Sequence, residues 1–183
     1  MQGKPRLSKL PSNVSGSDIS PTNRQWAADY PSRMIKIDIL RRQHDAALDM
    51  AQRLLELIDG YRAGTPTYSI LMQLNRLYGV LRVHLAHEDV ELYPALTASP
   101  DPEVARTARH YVEEMGGLAL DLECFARHWS CSASITSNFD EFRQAAQDLM
   151  LALAVRIERE NQFLYPLADR AIEAALSDQR DAA

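Results

Sequence analysis

At 183 residues, 46% of them apolar and 25% charged, the chain is long enough to bury one well-formed core and has an ordinary soluble composition. Its net charge of −5 and pI near 5.5 argue against a nucleic-acid footprint, which needs a clustered basic face, and against docking on an anionic membrane. No apolar run approaches the about 18 residues of a membrane span, and no apolar segment follows the N-terminal basic residues as in a secretory signal, so a cytoplasmic protein is expected.

Met1 to Pro31 is rich in Ser, Pro, Asn and Gly and shows no hydrophobic periodicity. It reads as a flexible extension, with Trp26 and Tyr30 as candidates for docking on the core or on a protein partner. Residues 32–178 then form the expected folded domain. Ile37, Leu40, His44, Leu48, Ala51, Leu55 and Ile58 recur three or four apart, which is one face of a first helix. Gly60 and Gly64 mark its exit, and Thr65-Pro66 predicts the start of the next helix. Ile70, Leu74, Leu77, Leu81, His84, Glu88 and Leu92 form the second stripe, with Pro94 forcing a kink or an end. Ser99-Pro-Asp-Pro is the next break. The third stripe is Val104, Ala108, Tyr111, Met115, Leu118, Leu122 and Phe125, interrupted by Gly116-Gly117, and Ser130 to Asn138 is a polar connection. The fourth stripe is Phe142, Ala146, Leu149, Leu153, Arg156, Glu160 and Leu164. Seven glycines are too few for a loop-rich or all-β design, and four amphipathic helices with short joins predict an all-α, up-down-up-down four-helix bundle.

Two segments within this pattern repeat each other. One reads Leu81-Arg-Val-His84-Leu-Ala-His87-Glu88-Asp-Val-Glu-Leu92-Tyr93-Pro94, the other Leu153-Ala-Val-Arg156-Ile-Glu-Arg-Glu160-Asn-Gln-Phe-Leu164-Tyr165-Pro166. Each places a polar residue one helical turn before a glutamate on the inward stripe, followed by Leu-Tyr-Pro at one offset. A polar group on that stripe needs a partner or a metal. His84 with Glu88 is either a buried hydrogen-bonded pair or part of a metal site, and His44 sits where it could face them. Imidazole with carboxylate suits iron, manganese or zinc. Arg156 with Glu160 reads first as an ion pair, with Glu160 as a further ligand in the second reading. His87, His110 and His128 read as solvated or partly buried, Met115 as core filler, and Tyr93 and Tyr165 as packing near the helix ends. Tyr111, one turn before Met115, could point at the site.

Other chemistries find no support. No histidine follows a glutamate by three residues, so the ferritin-like Glu-x-x-His pattern is absent, and His87-Glu88-x-x-Glu91 lacks the second histidine of a zincin helix. Cys124 and Cys131 have neither metal-ligand spacing nor a disulfide framework. No phosphate-binding glycine loop and no nucleophile–base arrangement is present, so the chain is not expected to be an enzyme.

The run His84 to Pro94 resembles the second-helix signature of the hemerythrin-like, or HHE cation-binding, domain. Arg42-Gln43-His44-Asp45 is similar to its first-helix motif and Glu160 to Pro166 to its fourth, over roughly residues 34–175. The resemblance implies a four-helix bundle with a non-haem di-iron centre that binds or senses oxygen, handles iron, or responds to nitric oxide and oxidative stress. It places His44, His84, Glu88 and Glu160 at ligand positions. It also implies a histidine on the third helix, where this chain has Met115, and another on the fourth, where it has Arg156. Those two would serve the second iron. Guanidinium cannot bind a cation and thioether is a poor ligand for a hard ion. One non-haem iron, or another divalent metal, is therefore expected at His44, His84, Glu88 and Glu160, in oxygen, redox or iron sensing or handling. The alternative is a metal-free bundle acting as a regulatory interaction module.

Overall fold

A computed structural model describes residues 37–115 and 117–181. Trp26 and Tyr30 lie outside the described residues, as does the side chain of Met115. Every regular element among the described residues is helical. In chain order these are α1 (Ile37–Asp59), α2 (Tyr68–His87), α3 (Tyr93–Thr97), α4 (Pro102–Met115), α5 (Gly117–His128), α6 (Ser132–Ser137), α7 (Phe139–Arg159) and α8 (Tyr165–Asp181). A π-helical turn, Glu88–Leu92, joins α2 to α3, and a second, Glu160–Leu164, joins α7 to α8. The chain therefore makes four rods: α1, α2–α3, α4–α5 and α7–α8. Consecutive rods pack side by side, and the fourth closes on the first through α1 with α7 and α8. The short joins impose the alternating directions of the bundle.

Local sequence explains most boundaries. Gly60 ends α1, and the turn behind it carries Gly64 at φ +86°, a conformation that glycine adopts without a Cβ penalty. Thr65 and Pro66 do not open the second helix as expected. The Thr65 hydroxyl donates to the Arg62 carbonyl and closes that turn, and α2 begins two residues later at Tyr68. Asp101 accepts from the backbone amides of Glu103 and Val104 and caps α4. The Ser130 to Asn138 connection contains the short helix α6, which buries Ile135. On α1 the buried face is Ile37, Leu40, His44, Ala47, Ala51, Leu54 and Ile58. The expected stripe drifted at two positions, Leu48 and Leu55, which lie one residue beyond the truly buried Ala47 and Leu54.

The apolar interior is split in two. The larger cluster fills the end that includes Leu54, Leu77, Leu81, Phe142, Leu153 and Ile157. A smaller one at the other end gathers Leu40, Leu92, Tyr93, Leu96, Leu164 and Tyr165. Between them in sequence, on three rods, lie His44, His84, Glu88, Arg156 and Glu160, all buried. A layer of ionisable side chains in this position has to satisfy itself internally.

Candidate metal centre

Each polar residue of this layer is delivered by a helix that is anchored by apolar residues a turn away. His44 projects from mid-α1, His84 from the last turn of α2, and Arg156 from the last turn of α7. Glu88 and Glu160 open the two π turns. The structure brings together all four residues expected as ligands: one donor atom from each of His44, His84, Glu88 and Glu160 lies within 4.8 Å of the others.

The second nitrogen of each imidazole is held from behind. His44 Nδ1 donates to Asn161 Oδ1 at 2.9 Å, and His84 Nδ1 donates to Gln43 Oε1 at 3.0 Å. Each Nε2 is thereby turned inward, as in metal-bound histidines whose outer nitrogen is hydrogen-bonded. Burial and the neighbouring His44 drop the His84 imidazole to about 3, so it is neutral near neutral pH. His44 Nε2 faces Glu160 Oε2 at 3.3 Å, and His84 Nε2 faces Glu88 Oε2 at 3.4 Å.

The carboxylates are braced across the bundle. Tyr93, which follows the π turn of the second rod, donates to Glu160 Oε1 on the fourth at 2.9 Å. Tyr165, in the matching position on the fourth rod, donates to Glu88 Oε1 on the second at 2.7 Å. Its ring stacks on His44, with centroids 5.1 Å apart, and its hydroxyl lies 3.2 Å from His44 Nε2. Arg156 spans both acids, with Nε donating to Glu160 Oε1 at 2.8 Å and Nη2 to Glu88 Oε2 at 2.9 Å. The expected Arg156–Glu160 pair is thus present, and its guanidinium also reaches the other rod. Burial opposes the Arg156 charge, but Glu160 and Glu88 outweigh it and push its pKa up. Burial and the nearby Glu160 charge push the Glu88 carboxyl up to about 7. Burial works the same way on Glu160, but His44, Arg156 and Tyr93 outweigh it and hold it below the usual carboxylate range. One oxygen, Glu160 Oε2, is buried with no hydrogen-bond partner.

The remaining sequence candidates fall elsewhere. Tyr93 and Tyr165, expected only to pack near the helix ends, are part of the site. Tyr111 is buried, but its hydroxyl donates to the Arg159 carbonyl. His110 is exposed beside Glu114, His87 is exposed, and His128 lies edge-on to Trp129 at the surface. Cys124 and Cys131 are exposed and free.

The model of the hemerythrin HHE cation-binding domain matches residues 35–168. The chain belongs to this family. No curated protein and no solved structure matches it. The hemerythrin fold accounts for the four rods and the inward polar layer. The donor set fits a cation on its own terms. His44 Nε2 and His84 Nε2 each face a carboxylate oxygen, and Glu160 Oε2 is buried beside them with no hydrogen-bond partner, a place a cation would fill. Among the described residues, no helix is long and apolar enough to cross a membrane.

Proposed function

We propose that this hemerythrin-family chain holds a single transition-metal ion, iron by preference, and acts in sensing or handling oxygen, nitric oxide or iron rather than as an enzyme. His44 Nε2, His84 Nε2, Glu88 and Glu160 would hold the ion. The observation that carries the reading is the convergence of one possible ligand atom from each of these four residues within 4.8 Å, with Glu160 Oε2 left without a hydrogen-bond partner. Two histidines with carboxylate is a set suited to ferrous iron with open positions for a small ligand, and iron would supply a one-electron redox couple there. The chain's own part is to orient the two imidazoles through Asn161 and Gln43, and to keep water out by the apolar clusters on either side.

Arg156 supports one ion rather than two. Its guanidinium bridges Glu88 and Glu160 as a second cation would, on the rod where the family resemblance leads one to expect a histidine. The same observation favours a second reading, a metal-free bundle serving as a regulatory interaction module, because Arg156 already neutralises one of the two buried acids. Metal analysis of protein isolated from its native host separates the two. One metal per chain, lost in His44→Ala and His84→Ala, supports the first reading. Two metals per chain refute the single-ion assignment. No uptake after anaerobic incubation with ferrous iron leaves the metal-free module.

A further inference from the structure

Between α1 and α2, on the outside of the bundle, lies an open groove of about 520 Å³. Ile39, Arg42, Gln43 and Ala46 line it from α1, and Gly79 and Val83 from α2. Its walls include apolar side chains left in the open, with Ile39 40% and Val83 49% exposed. Gly79, in the middle of α2, presents bare backbone to it, and a Cβ there would meet nothing within 4 Å. Glycine weakens a helix interior, and no neighbour among the described residues requires one here. A flat ring laid against that backbone would require it. Arg42 is exposed and has no carboxylate partner among the described residues, and a guanidinium so placed can stack on an aromatic face. Gln43 ties the groove to the polar layer, since its Oε1 accepts from His84 Nδ1 at 3.0 Å.

We propose that this groove is the docking site of the chain's own Trp26, with the segment Trp26-Ala-Ala-Asp29-Tyr30 laid across it. Trp26 and Tyr30 are the aromatic residues of the chain before α1, and Asp29 beside them supplies a carboxylate for Arg42. The length suffices. Trp26 precedes Ile37 by 11 residues, which span up to about 36–40 Å when extended. Ala46, at the far end of the groove on α1, lies only about 14 Å along the helix from Ile37 at 1.5 Å per residue. The chain enters α1 at the Ile39 end of the groove, so the segment before it can reverse and still reach. The indole lies against Gly79 between Ile39 and Val83, and Arg42 closes over it. Docking covers Gln43 and keeps water from its bond to His84. It holds with or without an ion in the polar layer.

Tryptophan fluorescence of the full chain tests this. Trp26 and Trp129 are its two tryptophans, and Trp129 is buried, so the emission lost in Trp26→Phe isolates the indole in question. That emission should lie to the blue of a peptide of residues 20–36 and be quenched several-fold less by acrylamide. Gly79→Glu fills open space at the groove and suits a helix better than glycine, so the chain should fold while Trp26 is released. Its emission should then move to the red and its quenching rise to the peptide's value, each read against the matching Trp26→Phe variant. Val83→Asp, at an exposed position, should release it likewise and serves if Gly79→Glu does not fold. A Trp26 as quenchable in the full chain as in the peptide overturns the proposal. Protection that persists in the groove variants overturns it as well, because the indole then docks elsewhere. Protection lost on dilution, with a dimer in sedimentation, gives the groove to the segment of a second copy and overturns docking within one chain.

Discussion

At the scale of single residues, Arg156 decides the electrostatics of the layer. Glu88 and Glu160 are fully buried, and without a cation neither could stay ionised at neutral pH without a large desolvation cost. The guanidinium answers both at once, at 2.9 Å and 2.8 Å. Arg156→Ala removes that charge and leaves the two acids facing each other. Breaking a buried pair in this way costs about 3–5 kcal/mol, so urea unfolding in a chelator should show a loss of that order. Adding zinc or ferrous iron should recover part of it, since the ion replaces the missing charge. Recovery in Arg156→Ala, with none in His84→Ala Arg156→Ala, would place the ion at the histidines. An Arg156→Ala protein as stable as the parent in chelator would show that the guanidinium is not the counter-ion of the layer.

At the scale of elements, the two π turns are what make the repeated Leu-Tyr-Pro functional. In a regular α-helix, a residue five positions beyond a glutamate points about 140° away from it. In each π turn the amide of the tyrosine bonds to the glutamate carbonyl five residues back, Tyr93 to Glu88 and Tyr165 to Glu160. That places the tyrosine one turn below the glutamate on the inner face. The proline that follows lacks an amide hydrogen and loses little where the ladder is already shifted. Val90 tests this, because its side chain is 73% exposed. Val90→Ala should change stability by no more than about 0.5 kcal/mol. Deleting Val90 should convert the turn to α-helix, swing Tyr93 off Glu160, and destabilise by several times that amount in urea. Equal effects of substitution and deletion would mean that the π register does not matter. The same geometry explains what the sequence hid. An α-periodic reading found His84, Glu88, Arg156 and Glu160, which are four apart and share a face. It could not find Tyr93 and Tyr165, since the extra residue that turns them inward leaves no trace in the period. The Leu48 position of α1 drifted for a different reason: Ala47 is small and adds little hydrophobic signal, so the larger exposed Leu48 outweighed it, while Leu54 and Leu55 are both leucine and the sequence offers no size difference between them. The repeated Tyr-Pro itself was the one available clue to the tyrosines, because packing at a helix end does not require the same residue at the same offset from a glutamate twice.

At the scale of the whole molecule, the polar layer lies between two separate apolar clusters. The smaller cluster is built from the N-terminal turns of α1, α3, the first turns of α4 and the start of α8. Its link to the larger one runs through His44, the two π turns and the hydrogen bonds that cross from rod to rod. An ion held by residues from three rods should therefore stabilise the fold as a unit, because it binds the assembled layer and not the unfolded chain. At a free concentration of about 100 times its dissociation constant it would add about 2.7 kcal/mol. For a domain of this size each kcal/mol raises the melting temperature by about 2–4 °C, so a rise of about 5–10 °C is expected in a thermal scan. Leu54→Ala is the control for this linkage. It lies in the larger cluster away from the ligands, where loss of a buried leucine costs about 2–5 kcal/mol. It should lower the melting temperature with and without metal while leaving the metal-induced increment intact, as expected for separate sites whose effects add. An increment that vanished in Leu54→Ala would mean that the ion reports on the larger cluster instead of on the layer between the two, and no increment in the parent protein would argue that Arg156 alone completes the site.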